Sequence, residues 1–203
     1  MTADDLRRVA EESASTGDRR ATFDALAELR ERGEPREYFL NAARRHADNK
    51  WLAYHAIVVL GADATDDEVW AVLQQIRSET SDAELLGGIA VAERVRYLED
   101  TYDGLAGFEE RLGFVLATFR TDWNPISLAG GQVDRGTDPQ AIWSQRKLRE
   151  LSEQDPAAVA EGVARANREG LSEAHAWAYR RFLAEFLTPQ ARDHFRTLDP
   201  REG

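Results

Sequence analysis

Apolar residues in this chain return every three to four positions, block after block, with helix-stop and helix-start chemistry between the blocks. That period matches the turn of an α-helix, and no stretch shows the alternation of a half-buried strand. Residues 19–32 set Phe23, Leu26 and Leu29 on one stripe, and 105–120 align Leu105, Phe108, Leu112, Val115, Leu116 and Phe119. Residues 50–60 are apolar nearly all round, from Trp51 to Leu60, as in a central buried helix. The same spacing predicts helices over 2–14, 35–47, 66–79, 82–102, 139–153, 156–168, 173–187 and 189–198. The expected fold class is all-α, about ten helices in an irregular α-solenoid or multi-helix bundle.

Local chemistry agrees with those boundaries. Pro35, Pro139, Pro156 and Pro189 follow polar or turn residues, where a first helical turn tolerates a missing N–H. Thr65 with Glu68, and Ser81 with Glu84, have the spacing of capping boxes. Gly33, Gly61, Gly104 and Gly170 each close a periodic stretch, as C-terminal caps do.

A shift of 31 residues lays the chain on itself, with Leu26 on Ile57, Leu29 on Leu60, Phe39 on Trp70 and Ala42 on Leu73. The stretch ALAELRERGEPREYFLNAARRHAD (25–48), followed by AIVVLGADATDDEVWAVLQQI (56–76), resembles the HEAT-like helical hairpin. The resemblance covers residues 18–79 only. It implies a curved stack of helix pairs that presents a face to another macromolecule.

One interval breaks the rhythm. Residues 121–137 lack helical periodicity and exceed the usual loop length, which marks either a functional segment or a boundary. The expected organisation is a helical-hairpin region over 1–120, a long loop over 121–137, and a C-terminal helical region over 138–203 packed on the first.

Composition narrows the function classes. A formal net charge of −11, with arginines scattered along the helices, disfavours nucleic acid as a partner. The absence of cysteine removes disulfides, thiolate metal sites and a cysteine nucleophile. No apolar run approaches the ~20 residues that cross a bilayer, so no membrane role is expected and a cytoplasmic location is the default.

Two sets of residues could carry function. Glu99, Asp100 and Asp103 fall at i, i+3 and i+4 spacings on a helix, an arrangement that suits Mg²⁺ or Mn²⁺ if a second set such as Glu109 and Glu110 converges on it. The alternative for these acids is a solvated helix end. Asp122, Trp123, Asn124, Arg135 and Trp143 in or beside the long loop have the aromatic-plus-arginine composition that dominates interface energetics. They could equally anchor the loop on the body.

His46, His55, His175 and His194 show no metal-ligand spacing, and neither a nucleophile elbow nor a phosphate loop occurs. The expected function is therefore a non-catalytic protein–protein interaction module, a scaffold, adaptor or immunity-type binder with no cofactor and a protein partner. The alternative is a metal-dependent all-α enzyme acting on a phosphate-containing small molecule through Glu99, Asp100 and Asp103.

Overall fold

A computed structural model of the chain describes residues 1–122, 139–168 and 186–198. The described residues form ten helices and no strand: α1 (Ala3–Thr16), α2 (Arg19–Glu31), α3 (Arg36–Arg44), α4 (Lys50–Gly61), α5 (Asp67–Glu79), α6 (Ala83–Asp103), α7 (Phe108–Asp122), α8 (Pro139–Gln154), α9 (Pro156–Arg168) and α10 (Pro189–Leu198). The fold is all-α, as the periodicity requires. The helix expected over 173–187 falls almost wholly outside the described residues.

Two start signals differ by one position from the sequence expectation. The cap of α5 is Asp66, whose carboxylate accepts from the Glu68 and Val69 amides at 3.0 and 3.3 Å. At α6 it is Asp82, accepting from Glu84 and Leu85 at 2.9 and 3.2 Å. In both helices the aspartate next in sequence, rather than Thr65 or Ser81, accepts from the first-turn amides, and its charge suits the positive end of the helix dipole. The capping box that does form joins Thr2 and Asp5 at the start of α1.

Helix ends follow the same accounting. Gly17 and Gly33, at φ 79° and 77°, let the chain turn left-handed after α1 and α2 so that the last carbonyls are bonded. Gly61, expected as a cap, is instead the last residue of α4 and is buried.

The chain divides into two compact units. The first holds α1 to α5, α6 as far as Asp100, and Pro139 with Gln140. The second holds the last turn of α6, α7, α8 from Ala141 onward, α9 and α10. The division falls inside α6, earlier than the boundary expected at 121–137, so α7 belongs with the second unit.

Within the first unit, α1 pairs with α2 and α3 with α4, while α2 also packs on α4 and α3 on α5. Leu26, Leu29, Leu40, Leu52, Ile57 and Leu73 are fully buried there. Truncating any one of them to alanine should cost ~2–5 kcal/mol, depending on how far the site collapses. Three arginines tie these layers. Arg30 of α2 donates to the Val59 carbonyl and pairs with Asp63 at 2.8 Å, and Arg36 of α3 pairs with Asp66. Arg96 of α6 donates to the Ala64 carbonyl at 3.2 Å and lies 5.1 Å from the Trp70 ring centre.

In the second unit α9 packs on α10 and on α7. Leu148, Leu151, Val159, Val163 and Phe195 are buried. Gly162 leaves α9 room beside α7, where a methyl group would meet the Leu112 Cδ2 at 2.7 Å.

Candidate functional site

The structure assembles a cluster of charged and aromatic side chains at the starts of α2, α4 and α6, all within the first unit. Arg19 and Lys50 occupy the first helical positions of α2 and α4. A cation there is opposed by the helix dipole. The opposition is offset by acids at the start of α6. Lys50 Nζ lies 2.8 Å from Asp82 and 2.6 Å from Glu84, and Arg19 Nη1 lies 3.4 Å from Glu84. Hydrogen bonds to the two acids hold the Lys50 ammonium above its usual range, and the bond from Lys50 holds Asp82 below the ordinary carboxylate range.

Two aromatic rings complete the cluster. Trp51 and Tyr54 stand at 86° to one another with centroids 6.2 Å apart. The Arg19 guanidinium carbon lies 4.2 Å from the Trp51 ring centre and 5.4 Å from that of Tyr54, while Lys50 Nζ is 4.9 Å from Trp51. These are cation–π distances. Both rings are half-buried, so each keeps surface in contact with solvent.

Behind the rings sits His55, only 7 % exposed. Its ring meets Tyr54 edge-on at 4.9 Å and Phe23 of α2 at 5.7 Å. Its Nε2 is buried without a hydrogen-bond partner. Burial, with a smaller contribution from Arg19, lowers its pKa from 6.5 to about 4, so the ring is neutral at pH 7.

Of the loop-side residues expected to bind, Trp123, Asn124 and Arg135 lie outside the described residues, as does the side chain of Asp122. Trp143 is described and is 3 % exposed, packed edge-on against Tyr102 at 6.0 Å and Phe114 at 6.1 Å. Its indole is thus a core group of the second unit. Among the acids considered for a metal, Asp100 and Asp103 are exposed and Glu99 is half-buried. Glu110 accepts from the Ala106 amide at 3.1 Å, and Glu109 faces Arg165 at 3.7 Å. Among the described residues, no three histidine or carboxylate side chains gather as a metal-holding group.

Spacing marks none of Arg19, Lys50, Trp51, Tyr54 and Asp82 as a binding residue, and Glu84 only as a capping partner of Ser81, because the cluster draws on helices far apart in sequence. One local signal was present. Two cations stand at helix starts where the dipole favours acids. Trp51 and Tyr54 were absorbed into the all-apolar pattern of α4, although both keep an exposed edge.

Comparison of the chain with protein-family models, curated proteins and solved structures returns no significant match. Among the described residues, no helix is long and apolar enough to cross a membrane.

Proposed function

We propose that the chain is a non-catalytic protein-interaction module built on a helical, repeat-like framework. The observation that carries this reading is the solvent-reaching Arg19–Trp51–Tyr54 cluster, braced by Lys50, Asp82 and Glu84. Tryptophan and tyrosine are enriched among the residues that dominate binding energy at protein interfaces. Rings fixed on a helix also lose little conformational freedom when a partner covers them. The stacking of α2 on α4 and of α3 on α5 supports the framework, since second-neighbour stacking is how a helical array builds a continuous face.

The partner that fits is a protein with a basic surface, complementary to a net charge of −11. The test is chemical crosslinking and capture with the wild type, with Trp51→Ala/Tyr54→Ala, and with Trp123→Ala/Arg135→Ala. A partner held by the wild type and released by the Trp51/Tyr54 variant, at unchanged helicity, supports the site. Loss only in the Trp123/Arg135 variant moves the interface to the loop. Equal retention by all three proteins overturns the reading.

A further inference from the structure

The corner formed by Trp51 and Tyr54 has the chemistry of a cation cage. Two ring faces at a right angle present the negative side of their quadrupoles, and carboxylates stand beside them. The chain shows that a cation suits the place by putting its own there, 4.2 Å from one ring centre and 5.4 Å from the other. We propose that this cage receives an arginine or lysine side chain from a basic protein segment, and that Arg19 occupies it until that segment arrives. The proposal rests on the interaction reading above and gives that site its ligand class.

Exchange of Arg19 for an incoming cation is chemically level. One guanidinium replaces another over the same rings, and the charge of the cluster does not change. Arg19 can leave at modest cost, because its side chain is 48 % exposed and its bond to Glu84 is long at 3.4 Å. The acids that hold the cluster, Asp82 and Glu84, stay in place when Arg19 leaves and offer the incoming cation the same partners. An anion finds less to bind. Asp18 already accepts from the Ala21 amide of α2, Asn49 from the Leu52 amide of α4, and Asp82 from the Glu84 and Leu85 amides of α6. These caps take some of the donors that a phosphate would otherwise use.

The experiment titrates argininamide, and a peptide of alternating arginine and glycine, into the wild type, Arg19→Ala and Arg19→Gln. Tryptophan fluorescence is the readout, and Trp51→Phe in the Arg19→Ala background assigns the signal. Removing Arg19, which leaves Lys50 beside Trp51, should tighten binding about tenfold relative to the wild type, the scale of one cation–π contact freed from competition. The added Trp51→Phe change should abolish the response, and inorganic phosphate should neither bind nor compete.

Equal affinity in the wild type and both Arg19 variants overturns the proposal, as does phosphate competition or a response that survives Trp51→Phe. Should the Arg19 variants fail to fold, the wild type decides. Saturating argininamide must then shift the Trp51 indole N–H resonance, and no shift rejects the cage. Partner loss in Trp51→Ala/Tyr54→Ala without argininamide binding would reject the cage and leave the interaction reading standing.

Discussion

Protonating His55 would place a charge in a pocket walled by Phe23 and Tyr54, where the charge of Arg19 adds to the cost of burial. The unfolded histidine titrates near 6.5 and the folded one near 4. Between those values the unfolded chain binds a proton that the folded chain refuses, so stability falls as pH drops through the window and levels off below it. The loss should reach no more than about 3 kcal/mol. Urea unfolding of wild type and His55→Phe from pH 7 to 4 checks this. The variant keeps an aromatic ring against Phe23 and Tyr54, and should lose the slope between pH 6.5 and 4. Asp66 and Asp82, whose pKa values are lowered by hydrogen bonds from Arg36 and Lys50, lose their contribution only below the ordinary aspartate value of 3.8. The two effects therefore occupy different parts of the pH range.

Helix starts and helix contacts carry their own predictions. Asp66→Ala should cost about 1–2 kcal/mol of unfolding free energy, because it removes the cap of α5 and the partner of Arg36, whereas Thr65→Ala should be nearly neutral. Thermal unfolding of the pair separates the cap seen in the structure from the one suggested by Thr65–Glu68 spacing. Adjacent glycines in α6 should also behave differently. Gly87 is exposed, and a methyl group added there would meet nothing within 4 Å, so Gly87→Ala should stabilise by about 0.5–1 kcal/mol. Gly88 faces α4, where a methyl would lie 3.2 Å from Ile57 Cγ2, and alanine there should lose that gain. Gly162→Ala should destabilise by about 1–3 kcal/mol, since the added methyl would meet Leu112 Cδ2 at 2.7 Å and Leu112 is buried, so the core around it must repack. Pairing it with Leu112→Val should recover part of the loss.

For the whole molecule, the excess of 37 acidic over 26 basic residues sets the terms of association. A basic partner should be drawn in by the long-range field, and at an ionic strength of about 0.15 M that field decays over roughly 8 Å. The association rate should therefore fall severalfold between 50 and 500 mM salt, about fivefold or more, while the dissociation rate changes less. Stopped-flow mixing with the captured partner measures both rates, and a rate independent of salt would argue against electrostatic recruitment.

Much of the fold was legible in the sequence. Helix class, most helix boundaries and the burial of α4 follow from apolar period, proline and cap chemistry, all of which act within a turn or two of backbone. Leu26, Leu29, Ile57 and Leu73 could be placed in the core from their stripes alone. The choice between Thr65 and Asp66, or Ser81 and Asp82, was less visible, because neighbouring polar residues offer nearly equal caps and the chain's entry angle decides between them. The candidate site was not legible. Its residues belong to three helices separated by tens of positions, and no local pattern records that Arg19, Trp51 and Glu84 meet. Sequence by itself determined which segments are helices and which faces are apolar, since those depend on short-range sterics and hydrogen bonding. Only tertiary structure decided which helix starts come together, because packing complementarity between distant segments fixes that choice.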